Sequence, residues 1–386
     1  MAKGSERVLG PGFVDSCSGC PVRTPKNREK DPMISFKSGK RELVGLDIGS
    51  HTIKLVDLAH SRGRYRLRQF ATAPLPPEVI VDGAVMDSGS IIEVVRDLVA
   101  KSRVKNKRVA LSISGFSVII KKITVGFMSE EELLDSIHWE AAQYIPFDIE
   151  DVNVDFQVLG QNRDNPDQMD VLLVAAKKEI INDYGNLMNE IGLDPQVIDV
   201  DSFAVETMYE NLFGIGEEEV LGLINIGAST MNFNIVKGPI SLLTRDVSMG
   251  GKQITEEIQK QYNLRYEEAE AVKVGGPEQW QQYKNFDRIL KNASETFAGE
   301  IQRSLDFFYA NFPEEHVQKL GLCGGAAKTP GLLDHIREKI GVETFLVNPF
   351  QKVSYSPKEF EESYLDSMGP IAAVGVGLAM RRAGDK

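Results

Sequence analysis

The stretch LVGLDIGSHTIKLVDLA, residues 43–59, reads as two strands joined by a tight turn. Its apolar run Leu43–Leu46 makes one strand and Ile53–Ala59 the next. Gly49 stands where the chain reverses, a position that favours a residue free of a Cβ. A hairpin needs only that turn. It does not require Asp47 at the strand end or Lys54 on the returning strand, and a surface hairpin with an incidental charge pair accounts for this stretch taken alone. Lys54 reads as a position whose replacement touches no core residue.

A second stretch, LGLINIGASTMNFNIVKG at residues 221–238, repeats the order: apolar run, polar residue, Ile, Gly, small residue, Thr, returning strand. Asn225-Ile226-Gly227-Ala228 falls on Asp47-Ile48-Gly49-Ser50 at a constant offset, which marks an internal duplication at domain scale. A third glycine site lies in LGLCGGAAKTPGLLDHIREKI, residues 320–340. There the strand Lys319–Cys323 runs into Gly324-Gly325, and a helix is expected to open near Pro330. Backbone N–H groups at glycine turns approach anions closely. Two hairpins and a glycine pair, shared between two lobes, suit a polyphosphate.

The 386 residues are enough for two large domains, and 42% hydrophobic with 26% charged residues is the balance of a globular chain. The net charge of −12 excludes a general nucleic-acid binder, which needs a basic field. The basic run KSRVKNKR, residues 101–108, reads as a solvated loop before a strand. No apolar run has the ~18 residues of a membrane span, and GPIAAVGVGLAMRR, residues 369–382, reads as a packed final helix. Residues 1–40 are rich in Gly, Pro, Ser, Lys and Arg without periodicity and are expected to be a disordered extension. Met33 is a natural start for the chain, and residues 1–32 are expected to be an upstream extension or a start-site artefact. Cys17 and Cys20 have the spacing of half a zinc site or a redox pair, but no second Cys pair or nearby His completes a metal site, and the pair reads as part of an inert tail.

Between the duplicated hairpins the pattern predicts a strand at Tyr65–Ala73, a helix over residues 90–102, a strand at Val109–Ile113 and an inserted α+β module. The module has strands at Val118–Val125, Val152–Leu159 and Val171–Ala176. It also has a helix opened by the capping-box pair Ser129 and Glu132, with apolar face Leu134, Ile137, Ala141 and Ile145, stopped by Pro146. The second lobe begins near Val220 with strands Leu221–Ile226, Thr230–Val236 and Ile240–Val247. Helices then fill residues 253–312, with the stripe Phe297, Ile301, Leu305, Phe308 and Phe312 facing a core.

These residues resemble the actin-like ATPase superfold over nearly all of 42–382, an α/β, ribonuclease H-like duplicated fold of two lobes. Within it, SGFSVIIKKITV, SEEELLDSIHWEAAQYIPFDIEDVNVDFQVLG and AAKKEIINDYGNLMNEIGLDPQVIDVDSFAVE are similar to the PilM family of the type IV pilus inner-membrane platform. The division protein FtsA is a more distant likeness. The resemblance implies a first lobe (subdomain 1A) of residues 41–115, 194–216 and 343–386, and an inserted 1C module of residues 116–193. It gives a second lobe of 217–252 and 316–342 (2A), with 253–315 as 2B. It implies ATP or ADP with Mg²⁺ as ligand. Asp47, Gly49, Ser50, His51, Thr52 and Lys54 would form the first phosphate motif. Asn225, Gly227, Ala228, Ser229 and Thr230 would form the second. Gly250, Gly251, Gly324, Gly325 and Ala326 would line the nucleotide, Glu270 and Lys273 would embrace the ribose and base, and Asp47 would hold Mg²⁺ through water.

The resemblance also implies an adaptor held at the cytoplasmic face of the inner membrane through a partner. That partner would be the N-terminal cytoplasmic peptide of a PilN-like protein, taken at an edge or slot between the first lobe and the 1C module. Pilus motor ATPases, other platform proteins and a second copy of the chain are the further partners it suggests; nucleic acid is not among them. The chain closes on RRAGDK without the amphipathic tail typical of FtsA. One residue departs from the pattern. Relatives start the second phosphate motif with Asp, and here the residue is Asn225, which lacks the carboxylate a hard cation prefers. The expectation is therefore at most a weak ATPase, with Asp199 and Asp201 as the acidic candidates for placing water, although helix capping accounts for both equally well. A small-molecule kinase and a divisome-type bacterial actin are the competing functions.

Overall fold

The computed structural model describes residues 42–162 and 164–384 of the chain. The expectations for residues 1–40, including Met33, Cys17 and Cys20, lie outside the described residues.

The strands β1 (Val44–Ile48), β2 (Thr52–Ser61) and β3 (Arg64–Pro74) form an antiparallel meander, with Asp47 opposite Lys54 in the register. The chain continues through the short hairpin β4 (Ile80–Val81) and β5 (Ala84–Val85), helix α1 (Ser88–Ser102) and strand β6 (Arg108–Ile113). The inserted stretch supplies β7 (Val118–Gly126), α2 (Glu130–Ala141), β8 (Val152–Gln161) and β9 (Gln168–Lys177). Then α3 (Lys178–Ile191), β10 (Asp194–Val200) and α4 (Asp201–Phe213) complete the first half. The first sheet has the order β10-β6-β1-β2-β3, with β6 parallel to β1 and β10 parallel to β6.

The second half repeats this plan. Its meander is β11 (Val220–Ile226), β12 (Met231–Lys237) and β13 (Ile240–Val247). A helical block comes next: α5 (Lys252–Tyr262), α6 (Tyr266–Val274), α7 (Pro277–Trp280) and α8 (Phe286–Asn311). The chain ends in β14 (Lys319–Cys323), α9 (Leu332–Ile340), β15 (Glu343–Leu346) and α10 (Glu362–Met380). The sheet order is β13-β12-β11-β14-β15, with β14 parallel to β11 and β15 parallel to β14. Each half is therefore a three-stranded meander whose first strand carries two further parallel strands. The duplication seen in two hairpins extends to whole sheets.

The helix after each sheet crosses to the other half. α4 packs on β11 and β12, and α10 packs on β1, β2 and α4. Ala204, Met208, Val376 and Leu378 are buried in the core between them. The crossing is close because Gly377 has no side chain: a Cβ there would fall 1.8 Å from the Ala204 carbonyl oxygen. The glycine-rich final segment is thus a packed helix, and no helix among the described residues is long and apolar enough to cross a membrane.

The inserted stretch forms a three-stranded sheet of order β7-β9-β8 with a core of its own, built from Ile123, Leu133, Ile137, Ala141, Val171 and Leu173. Its helix opens on the expected capping box: the Ser129 backbone N–H donates to Glu132 Oε2 at 2.8 Å, and the Glu132 N–H donates to Ser129 Oγ at 3.3 Å. The apolar face differs by one residue from the expected one. Leu133 is fully buried while Leu134 is 56% exposed, because Leu133 repeats with Ile137 and Ala141 at helical spacing and Leu134 lies off that line. Ile180, Tyr184, Leu187 and Met188 of α3 pack in the first lobe's core, with Ile91, Val95 and Leu98 of α1. Residues 116–193 thus divide between two cores.

Candidate functional site

The two hairpin turns meet at a cleft of about 480 Å³ between the halves. Asp47, Gly49, Ser50, His51, Thr52 and Lys54 line it from the first half. Asn225, Gly227, Ala228, Ser229 and Thr230 line it from the second, with Gly251, Glu270, Lys273, Gly324, Gly325 and Ala326 around the far side. The turns have one design: Gly49 N–H donates to Thr52 O at 3.3 Å, and Gly227 N–H donates to Thr230 O at 2.9 Å. Gly250 lies behind the lining, since a Cβ there would stand 2.4 Å from the Ala228 carbonyl oxygen. It lets the chain pass beneath the second turn, and Gly251 N–H then donates to Gly227 O at 2.9 Å.

The third glycine site is built differently from the expected helix start. Gly324-Gly325 leads into a single 3-10 turn, Ala326–Lys328, and α9 begins only at Leu332. Pro330 disfavours helical angles at the residue before it, and Thr329 is extended there (ψ 124°). The Gly324 N–H donates to Pro370 O of α10 at 2.8 Å, so this loop is tied to the final helix.

Lys54 Nζ stands 3.1 Å from Asp47 Oδ2, and both side chains are largely buried. Burial pushes the Asp47 carboxyl above the usual carboxylate range; Lys54 pulls against that and the charge of Asp201 adds to it. Glu270 and Lys273 act as a brace for the cleft wall. Lys273 Nζ contacts Glu270 Oε2 at 2.6 Å and donates to Gly251 O at 3.2 Å, while Thr255 Oγ1 donates to Glu270 Oε2 at 2.6 Å. Across the cleft, His51 Nε2 is 3.5 Å from Glu270 Oε1. Burial holds the His51 imidazole below its ordinary value, so this is a contact of a neutral ring at pH 7.

The two acidic candidates separate. Asp201, at the start of α4, lines the cleft and lies close enough to Asp47 to raise its carboxyl. Asp199 faces away: its Oδ2 lies 3.3 Å from Arg381 Nε just beyond α10, and its Oδ1 accepts from the Val200 N–H at 2.8 Å. Among the described residues no group of three or more His, Cys, Asp or Glu side chains is arranged to hold a metal ion.

The motifs also miss residues in and beside the cleft: Ser112, Tyr184, Asn232 and Trp280 line it, and Tyr266 and Asp246 bond to residues that do. Tyr266 OH lies 3.4 Å from His51 Nδ1, and burial with nearby Glu270 pushes its phenol up to about 12. Asn232 and Asp246 stand beside Asn225 in the register of β11, β12 and β13. Asn225 Nδ2 donates to Asn232 Oδ1 at 2.8 Å, and Asn232 Nδ2 donates to Asp246 Oδ1 at 2.8 Å. Two polar residues at inward strand positions are the only sequence signal for this ladder, and they become a signal only once the register is known.

The doubled sheets, the crossing helices and a cleft lined by two matching hairpins define the actin-like class of two-lobed proteins. Within that class the chain belongs to the family of the type IV pilus assembly protein PilM, whose family model matches residues 45–383. A solved PilM-PilN type IV pilus biogenesis complex is similar at 29% identity, covering 88% of this chain and 98% of that one, with a TM-score of 0.78. The ethanolamine utilization protein EutJ from Carboxydothermus hydrogenoformans shares the fold at 16% identity, covering 88% of this chain and 89% of its own, with a TM-score of 0.54.

Proposed function

We propose that the chain is an ATP- or ADP-binding adaptor of the type IV pilus platform that captures the N-terminal cytoplasmic peptide of a PilN-like membrane protein. The observation that carries the nucleotide half is the cleft, where two hairpin turns of one design face each other with Lys54 beside them. Phosphates are placed between the turns, near Lys54; the base and ribose lie along Glu270, Lys273 and the Gly324-Gly325 loop. Mg²⁺ is carried by phosphate oxygens and by water on Asp47, since the protein offers no full ligand set of its own among the described residues. Asn225 in place of a carboxylate supports slow hydrolysis or none, with Asp201 as the acid nearest the phosphates.

Support for the partner half lies at the junction of the first lobe and the inserted module. The β4–β5 turn abuts the module's entrance: a Cβ on Gly83 would fall 2.7 Å from Ser114 O. Val81, Met86 and Phe116 flank that contact, and are 41%, 67% and 66% exposed. Apolar side chains so placed offer anchors for a short extended segment. The sheet order leaves β8 as an edge strand, whereas β7 lies against β13 of the second lobe. Such a partner would hold the chain at the cytoplasmic face of the inner membrane. The test is calorimetry with ATP and ADP, with and without Mg²⁺, then titration of the PilN-type peptide into wild type and Phe116→Asp. Nucleotide binding with peptide binding lost in the variant supports both halves. Absence of nucleotide binding, or a peptide that binds both proteins equally, overturns the corresponding half.

A further inference from the structure

The Asn225–Asn232–Asp246 ladder does not stop at the sheet. Asp246 Oδ2 accepts the backbone N–H of Gly115 at 2.6 Å, across the gap between the lobes. Gly115 has a φ of +84°, which favours glycine, and it is the turn by which the chain leaves β6 and enters the inserted module. The next residue is the exposed Phe116. One unbroken line of hydrogen bonds therefore runs from the second phosphate hairpin, over three strands of the second lobe, to the module's entrance in the first.

The line has a fixed direction. Asp246 only accepts, from Gly115 at one oxygen and from Asn232 at the other. Asn232 must turn its amide nitrogen to that carboxylate, so its oxygen faces Asn225, which must in turn present nitrogen. The oxygen of Asn225 is thereby left on the Gly324 side, where a Cβ on that glycine would stand 2.6 Å from it. A charge two strands away decides which end of Asn225 the cleft meets. It also decides whether Gly115 has an acceptor.

We propose that Asp246 is a positioning residue, and that the Asn225–Asn232–Asp246–Gly115 line is the latch by which a nucleotide-filled cleft holds the entrance of the inserted module. Closure of the lobes on a ligand keeps Asp246 opposite Gly115, and the ladder keeps the Asp246 carboxylate aimed at it. A latched Gly115 fixes Phe116 and the apolar junction beside it. This rests on the nucleotide reading above.

The full chain, with amide exchange monitored at Gly115 and over residues 116–126 and with ADP plus Mg²⁺ as the probe, tests it. At ADP concentrations that calorimetry shows to saturate each protein, the Gly115 amide of wild type should exchange about tenfold more slowly than without ADP. In Asn232→Leu, which cuts the line, the slowing should fall to about twofold or less. Asp246→Ala is the second variant: it removes the acceptor of the Gly115 N–H altogether, so it too should lose the effect. An unchanged Gly115 amide in wild type saturated with ADP, or full slowing in both variants, overturns the latch. Failure of wild type to bind ADP at all overturns the latch together with the nucleotide reading, and calorimetry tells that outcome from the others.

Discussion

Ser50 Oγ and Ser229 Oγ lie 2.9 Å apart, the hydroxyl of one phosphate hairpin touching the hydroxyl of the other. The two turns close on each other across the point where phosphates would pass. Cysteines at both positions should therefore bridge under mild oxidation, in a background with Cys17→Ser and Cys20→Ser, the remaining Cys323 being buried. ATP should protect the pair, because the two hairpins must part to admit phosphates. Non-reducing electrophoresis with and without ATP reads the result. Bridging at the same rate with saturating ATP would place the phosphates elsewhere.

Lys54 gives a second expectation, and here the structure alters what the sequence suggested. Replacement of Lys54 reads in the sequence as free of cost to any core position, yet its partner Asp47 is 6% exposed. Lys54→Ala should weaken ADP binding by about 10- to 100-fold and should also destabilise the free protein by about 1–3 kcal/mol, since a buried carboxylate loses its counter-charge. Asp47→Asn on top of Lys54→Ala should recover stability but not affinity. Calorimetry and urea midpoints separate the two effects, and unchanged ADP affinity in Lys54→Ala would falsify the site assignment.

Glu206 of α4 provides a pH dependence. Its Oε2 accepts from Asn234 Nδ2 at 2.7 Å and from Ser241 Oγ at 2.5 Å, and burial pushes its carboxyl above the ordinary range despite those bonds. With a folded-state value above the unfolded one, the unfolded chain releases its proton first as pH rises. The stability tied to this group is then complete below the unfolded value and lost as pH climbs through the folded one. Glu206→Gln keeps an acceptor oxygen and carries no charge. It should raise the melting temperature at pH 7–8 by about 2–3 °C, and the gain should vanish below about pH 4, where both states of wild type are protonated. Scanning calorimetry across pH 4–8 checks this; a gain that persists at pH 4 would contradict it.

The sheets were legible because hydrophobic alternation and a turn glycine are local signals. Strands expected at Leu221–Ile226 and Ile240–Val247 stand at Val220–Ile226 and Ile240–Val247. The cleft was legible because its lining sits on two copies of one local motif. Leu134 was misread because apolar residues at neighbouring positions, Leu133 and Leu134, leave the helical phase open by one step until the sheet beneath selects it. The cross-lobe bonds were not legible. Ser50 to Ser229 and Gly115 to Asp246 join residues more than a hundred positions apart, brought together by the packing of α4 against α10 and of β7 against β13.

The direction of the ladder governs the effect of putting a carboxylate back at position 225. Asn225→Asp alone sets the new carboxylate against Asn232 Oδ1, which must keep its nitrogen turned to Asp246. Either Asn232 flips and its oxygen meets the Asp246 carboxylate, or it stays and two acceptors face each other at position 225. One hydrogen bond is lost and like charges are set along one ladder, so the variant should lose about 1–3 kcal/mol in urea unfolding. It should show no gain in ATP turnover that matches the charge restored. Adding Asp246→Asn reverses the whole line: the carboxylate at 225 accepts from Asn232, Asn232 accepts from the new amide at 246, and that amide's oxygen remains for the Gly115 N–H. Every donor again has an acceptor, with the charge moved from the lobe boundary to the phosphate hairpin. The double variant should therefore recover most of the stability lost by the single one, a coupling of about 1–3 kcal/mol, and any rise in ATP hydrolysis should be larger in it than in Asn225→Asp. A double variant no more stable than Asn225→Asp would mean that the ladder carries no direction and that Asn225 is set by the cleft alone.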